Sequence, residues 1–126
     1  MKKAFTLLEL LVVVGLIGIM VGLLAVSYSS TQRKARDAKR KTDLQAIRNS
    51  IEQYYAICDY QHPSSLGTSL ACTSVTPTTM IMATVPVDPK STTPYPFVTT
   101  AAGSYQICTY SLEAESPTGY CLQGQQ

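Results

Sequence analysis

One carboxylate stands at the start of a long apolar stretch. Glu9 is followed by residues 10–26, which contain no charged side chain and are interrupted only by glycines. An unpaired carboxylate within a membrane segment costs several kcal/mol, so an acid there predicts a functional role. The simpler alternative is that its side chain extends to the membrane interface. Because an ordinary anchor needs no acid, Glu9 is a candidate site residue.

Four cysteines follow the apolar stretch: Cys58, Cys72, Cys108 and Cys121. An even number of cysteines in a small domain beyond a membrane segment is typical of two disulfides formed in an oxidising compartment. A zinc site is the alternative. It would need all four thiolates, because His62 is the only histidine and there is no Cys-x-x-Cys pair.

Charges are segregated along the chain. Residues 31–50 hold seven basic and two acidic side chains (net +5), and residues 51–126 hold one basic and five acidic side chains (net −4). The basic stretch could neutralise nucleic-acid phosphates, but no aromatic residue lies between its cations to stack on bases. We expect it to pack against acidic heads of neighbouring copies. Direct nucleic-acid binding and a solvated helix face remain alternatives.

No set of residues suggests catalysis, a cofactor or a metal site. The chain has one histidine, no tryptophan and eight scattered acidic residues. Calcium prefers about six to eight oxygen ligands, and the C-terminal region offers only Asp88, Glu113 and Glu115. We therefore expect a protein that is not an enzyme.

Residues 5–26 predict a helix that spans a membrane. As a helix these residues would be about 33 Å long, enough to cross the hydrocarbon core of a bilayer. A cleaved secretory signal peptide has a shorter apolar core and a clear cleavage site, whereas residues 27–32 offer only a weak one. The spacing of Gly18 and Gly22 allows close helix approach.

Helical periodicity continues over residues 27–58, which contain no proline or glycine. An apolar stripe at three- to four-residue spacing is expected to pack against the head. Its members are Leu44, Ile47, Ile51, Tyr54 and Cys58. Upstream, the same face carries Lys41 and Asp37, so we expect that part of the helix to be left uncovered by the head.

The remaining residues, 59–126, predict a small head. Residues 64–84 resemble a polar loop after His62-Pro63 ends the helix. Strands are predicted in three Tyr-, Val-, Ile- and Thr-rich runs, at residues 95–100, 104–112 and 119–122. The fold class is therefore α+β, with a long N-terminal α-helix packed on a small C-terminal antiparallel β-sheet.

The predicted hairpin also suggests a disulfide pairing. A turn over residues 113–118 would place Cys108 opposite Cys121, within reach of a disulfide. Cys58 would then pair with Cys72 and tie down the preceding loop. Four cysteines allow three pairings, so the other two stay open.

The N-terminal sequence resembles the prepilin motif of the type IV pilin and pseudopilin superfamily. That motif has a short basic leader, a small residue, and Phe-Thr-Leu-(Ile/Leu)-Glu before a long apolar run. Here it reads Lys2-Lys3-Ala4, then Phe5-Thr6-Leu7-Leu8-Glu9-Leu10. The resemblance implies cleavage between Ala4 and Phe5 by a prepilin peptidase, N-methylation of Phe5, and subunit docking guided by Glu9. Ala4 stands where family members usually carry glycine.

This resemblance implies a structural subunit with a leader (residues 1–4), a transmembrane and filament-core helix (5–26), an amphipathic helix (27–58) and a head (59–126). The precursor would sit in the cytoplasmic (inner) membrane with its head outside. It would then join an extracellular helical filament, a type IV pilus, for adhesion, twitching motility or DNA uptake. In the filament, the Phe5 amine would pair with Glu9 of an adjacent copy. The implied partners are further copies of the chain, the prepilin peptidase, and an assembly platform and ATPase.

A pseudopilin of a type II secretion system, or a minor pilin, is the alternative within this superfamily. Main pseudopilins typically bind calcium in a carboxylate-rich C-terminal loop, whereas Cys108 and Cys121 resemble the disulfide-bounded C-terminal region of pilins. This favours a pilin. One observation opposes the orientation: the basic residues of 33–41 would by themselves favour the cytoplasmic side. The cysteines and the prepilin motif favour the outside.

Overall fold

A computed structural model describes residues 5–99, 103–115 and 118–124, with the backbone alone for residues 25–27. Its elements are α1 (Leu7–Ile57), β1 (Leu70–Cys72), β2 (Thr79–Met82), β3 (Phe97–Thr99), β4 (Tyr105–Cys108) and β5 (Cys121–Gln123). The chain divides into two compact units, Met1–Arg33 and Lys34–Gln126, and α1 contributes to both. The predicted α+β class, a long helix packed on a small antiparallel sheet, is confirmed.

In the first unit, the described residues are mainly the apolar part of α1. Leu7–Leu24 is long and apolar enough to cross a membrane, judged by length and composition, and none of it is buried in the structure. Aliphatic side chains surround this segment on all sides rather than along one stripe, which is typical of a helix meant for an apolar environment.

The core of the second unit forms around the predicted apolar stripe of α1. Leu44, Ile47 and Ile51 are at most 1% exposed. They pack with five buried residues from the rest of the unit: Leu70, Val85, Tyr95, Tyr105 and Ile107. Because burying one such aliphatic side chain contributes about 1.5–3 kcal/mol, this stripe is a main source of head stability. The prediction of a stripe that packs on the head is confirmed.

The strands form two antiparallel sheets, β1-β2 and β3-β4-β5. In the three-stranded sheet, Phe97 pairs with Ile107 and Ile107 with Leu122, so these three side chains share the face that meets the core. Successive strand residues point to opposite faces, which places Gln106 and Gln123 on the outer one. The three predicted strands are present but shorter than expected.

The prediction of a loop without strands over residues 64–84 is wrong, because this stretch contains β1 and β2. The strands are three and four residues long, too short to produce a periodic pattern. Leu70 is buried in the core, and Ile81 and Met82 pack against it. Tertiary packing therefore creates a hairpin that local sequence does not predict.

Disulfides join Cys58 to Cys72 and Cys108 to Cys121, which is the pairing suggested by the hairpin. Cys108 lies directly opposite Cys121 in the β4-β5 register. The first bridge connects the end of α1 to β1, and the second encloses the segment between β4 and β5. No cysteine within the described residues is free.

The C-terminal end of β5 needs a glycine beside the core. A Cβ added at Gly124 would lie 2.5 Å from Cε1 of Tyr105, and the Gly124 N–H donates to the Tyr105 carbonyl at 3.0 Å. The ring of Tyr105, which is 1% exposed, therefore packs directly on the chain backbone. This close approach is what excludes a side chain at position 124.

Candidate functional site

The first described residues form a hydrogen-bonded start to α1. The Thr6 N–H donates to Oε2 of Glu9 at 3.1 Å, and the Glu9 N–H donates to Oγ1 of Thr6 at 3.3 Å. The Thr6 hydroxyl also donates to Oε2 of Glu9 at 3.0 Å. Since α1 begins at Leu7, Thr6 is the N-cap residue and Glu9 the third helical residue, the arrangement of a capping box.

This capping box gives Glu9 a role within its own chain that the sequence analysis missed. It satisfies a helix N–H that would otherwise lack a partner, and it places a carboxylate near the positive end of the helix dipole. The signal was readable, because Thr-x-x-Glu directly before an apolar run is the sequence signature of such a cap. Any cation from a neighbouring copy would compete with these bonds.

The other predicted residues of this region are placed as follows. Phe5 is 78% exposed, one residue before the cap. Ala4 lies outside the described residues, so cleavage between Ala4 and Phe5 stays a prediction. N-methylation of Phe5 and its pairing with Glu9 of another copy also stay predictions.

In the second unit, α1 and the loops of the head meet in an ionic cluster. We use this name for Arg36, Asp37, Arg40, Asp88 and Glu113. Arg40 donates from Nε to Asp88 at 2.7 Å, from one terminal nitrogen to Asp37 at 2.8 Å, and from the other to Glu113 at 3.0 Å. Arg36 binds both carboxylate oxygens of Glu113, at 2.9 and 2.7 Å. Two guanidinium groups thus join three carboxylates.

Asp37 ties the segment between β4 and β5 to the helix. Its carboxylate accepts the backbone N–H groups of Glu113 at 2.9 Å and Ala114 at 2.7 Å. It is 1% exposed, so these bonds replace the water that a carboxylate would otherwise need. The disulfide-enclosed segment is therefore attached to α1 by its backbone as well as by the Glu113 side chain.

Contacts within the ionic cluster lower the carboxyl pKa values. Hydrogen bonds from Arg40, helped by the N–H groups of Ser91 and Lys90, hold the pKa of Asp88 far below its usual range against the effect of burial. The contact with Arg36 lowers the pKa of Glu113 to about 2. Burial raises the pKa of Asp37, but the bonds from Glu113, Ala114 and Arg40 outweigh it and the net shift is downward. All three groups are therefore ionised at neutral pH.

These contacts correct two expectations. The stretch of α1 upstream of Leu44 was expected to be left uncovered by the head, which is wrong: Asp37 and Arg40 are 1% and 3% exposed. Charged residues are covered here because each finds a partner of opposite charge. Pairing with a neighbouring head is likewise wrong for Arg40, which is already enclosed by its own.

The three carboxylates of the C-terminal region all hold cations of α1. Asp88 and Glu113 belong to the ionic cluster, and Glu115 accepts a bond from Lys41, whose ammonium also lies 5.6 Å from the centre of the Tyr120 ring. Among the described residues, no group of three or more His, Cys, Asp or Glu side chains is arranged to hold a metal ion. The arrangement binds the second-unit part of α1 to the loops of the head.

Comparison with family models found a match at the N-terminal end of the chain. Residues 1–25 match the family model described as the prokaryotic N-terminal methylation motif. Searches of curated proteins and of solved structures found no match. Proteins that carry this motif are structural subunits processed by a prepilin peptidase. Residues 1–25 thus carry the prepilin-type signature of the type IV pilin and pseudopilin family, and this signature together with the apolar α1 segment supports a pilin-like or pseudopilin protein.

Proposed function

We propose that this chain is a pilin, a structural subunit that polymerises into an extracellular type IV filament. The observation that carries the proposal is the segment Leu7–Leu24, which is apolar on every side, unburied, and part of the matched prepilin signature. A segment of this kind has two suitable environments, a bilayer and the centre of a bundle of identical helices. A subunit that moves from the bilayer into the centre of a filament keeps this segment in an apolar environment throughout.

The head favours a pilin over a pseudopilin of a type II secretion system. Asp88, Glu113 and Glu115 each bind a cation of α1, so the carboxylates that could take part in a calcium loop are already neutralised. The Cys108–Cys121 bridge encloses the same segment. Because arginines of α1 and the disulfide already hold the segment between β4 and β5, a metal ion is not needed to hold it.

Arg36, Lys39, Arg40 and Lys41 all have acidic partners within the second unit. This weakens the proposal that the basic stretch binds nucleic acid, because most of its cations are already paired.

The test is electron microscopy of sheared surface filaments together with mass spectrometry of their subunit. We expect filaments composed of this chain, beginning at N-methylated Phe5 and containing four oxidised cysteines. A chain that is processed but stays in the membrane fraction, absent from filaments, would favour a pseudopilin or a minor pilin. An unprocessed chain that keeps residues 1–4 would contradict the whole proposal.

A further inference from the structure

After folding, one acidic side chain of the second unit is left over. Within its described residues, the other acidic side chains each accept a bond from a partner: Asp37, Asp43, Glu52, Asp88, Glu113 and Glu115. Asp59 is exposed, and no residue in the described part of the chain forms an ion pair with it. It lies two residues after Ile57, where α1 ends.

Two exposed cations stand near the boundary between the two units, at positions 33 and 34. Arg33 and Lys34 are exposed, and neither forms an ion pair with any residue that the structure describes. Lys34 and Ile57 are 23 residues apart in one helix, a separation of about 35 Å. Asp59 and Lys34 therefore cannot meet within one chain.

We propose that Asp59 of one copy pairs with Lys34 and Arg33 of a second copy in the filament. Two copies shifted by about 35 Å along the helix direction would bring the groups together. The contact joins two different surfaces, so repeating it produces an open-ended assembly, as a filament requires. This inference rests on the proposed function, and it assigns one contact between subunits to Asp59 and Lys34 of the second unit and to Arg33, the last residue of the first unit.

The surroundings of Asp59 fit a protein surface as the partner. Ile57 and Tyr60 on either side of it are 39% and 74% exposed. A second copy that covers them would also exclude water from the ion pair, which strengthens a contact that is weak when fully exposed. Nucleic acid is a poor alternative at this end of α1, because the exposed charge is negative.

A zero-length amine-to-carboxylate crosslinker tests the contact directly. Intact filaments are treated, the subunits are digested, and linked peptides are identified by mass spectrometry. We expect a Lys34–Asp59 link, which one chain cannot form because of the 35 Å separation. The Lys41–Glu115 pair within each head serves as the positive control for the reaction.

Charge changes give a second test. Asp59 has a backbone φ of 52°, which asparagine tolerates as well as aspartate, so Asp59→Asn removes the charge without backbone strain. We expect this variant, and the double variant Arg33→Glu/Lys34→Glu, to lower filament yield about threefold or more, since each subunit loses a contact. Adding Asp59→Lys to the double variant should restore most of the yield. The matched control is Lys39→Gln, because Lys39 is exposed on the same helix but already paired with Asp43.

The outcomes separate this inference from the proposed function. Wild-type filaments without the Lys34–Asp59 link, together with normal filament yield from Asp59→Asn, would overturn the inference and leave the pilin proposal standing. Absence of wild-type filaments would overturn the proposed function, and this inference with it. The thermal midpoint of each variant, measured in detergent, should match the wild type, so that a yield change reports assembly rather than folding.

Discussion

At the scale of single residues, Arg40 is a buried cation whose charge must be balanced by its ion pairs. Its side chain is 4% exposed and contacts three carboxylates, one on α1 and two on separate loops of the head. A buried ion pair contributes little relative to a well-packed apolar pair, but breaking it leaves a buried charge without compensation. The stability of the head therefore depends on Arg40, because without it the carboxylates of Asp37 and Asp88 would be buried without a compensating charge.

Replacing Arg40 by methionine should strongly destabilise the head. The variant leaves the carboxylates of Asp37 and Asp88 buried without their main cation, and we expect the free energy of unfolding to fall by about 3–5 kcal/mol. Urea denaturation of the full chain in detergent, followed by circular dichroism, measures this. The matched control Lys39→Met, at a side chain that is 61% exposed, should change it by less than about 1 kcal/mol. Similar losses from both variants would contradict a special role for Arg40.

The ionic cluster should also make the head sensitive to acid. The pKa values of Asp37, Asp88 and Glu113 are lower in the folded chain than in an unfolded one, that of Glu113 reaching about 2. Their contribution to stability is complete above the unfolded pKa of about 4 and is lost as pH falls from there toward 2. We expect a flat thermal midpoint between pH 5 and 8 and a steep decline below about pH 4. Glu113→Gln should reduce the slope of this decline, and an unchanged slope would exclude Glu113 from the effect.

At the scale of elements, the segment between β4 and β5 is held at both ends and in the middle. Cys108 and Cys121 close it, and Asp37 binds its backbone at Glu113 and Ala114. The same segment supplies two of the carboxylates that hold α1. The disulfide and the ionic cluster therefore act on one element, and loss of either should weaken the other.

Removing the Cys108–Cys121 disulfide should destabilise the head by about 3 kcal/mol, the value expected from chain entropy for a loop of this length. The double variant Cys108→Ser/Cys121→Ser tests this by thermal denaturation of the full chain in detergent. Because the enclosed segment becomes more mobile, the hydrogen bonds from the Glu113 and Ala114 N–H groups to Asp37 should also weaken. Combining the double variant with Glu113→Gln should therefore give a loss different from the sum of the two separate losses. Strict additivity would show that the bridge and the ionic cluster are independent.

At the scale of the whole molecule, Glu9 has two candidate roles that different variants separate. The capping box needs both Thr6 and Glu9, whereas pairing with the Phe5 amine of another copy needs only the carboxylate of Glu9. The sequence alone suggested the second role, or a side chain that extends to the membrane interface. The structure adds the first and so supplies a control.

Glu9→Val or Glu9→Ala should leave membrane insertion intact and greatly reduce filament yield, measured as the ratio of subunit in the sheared fraction to subunit in the membrane. Thr6→Ala removes the hydroxyl of the cap at a cost of about 1 kcal/mol of helix stability but keeps the acid, so its yield should stay near that of the wild type. Normal filaments from either Glu9 variant would exclude the pairing. Equal losses from Thr6→Ala and Glu9→Ala would assign the effect to the cap.

The sequence by itself determined the features that depend on local pattern. The apolar run, the α1 stripe from Leu44 to Ile51, the three strands of the main sheet and the prepilin motif were all readable, because periodicity and spacing encode them. The capping box could also have been predicted from the sequence, because Thr6 and Glu9 lie within four consecutive residues. The disulfide pairing followed from the expected hairpin.

Only the tertiary structure decided which charges meet. Arg40 and Asp88 are 48 residues apart, and Arg36 and Glu113 are 77 apart, so no local pattern connects them. The expectation that the head would leave Asp37 uncovered failed because a charged residue is normally exposed, and here its partners come from distant loops. The β1-β2 hairpin was missed for the same reason: its short strands are stabilised by the core they reach, and their own sequence does not predict them.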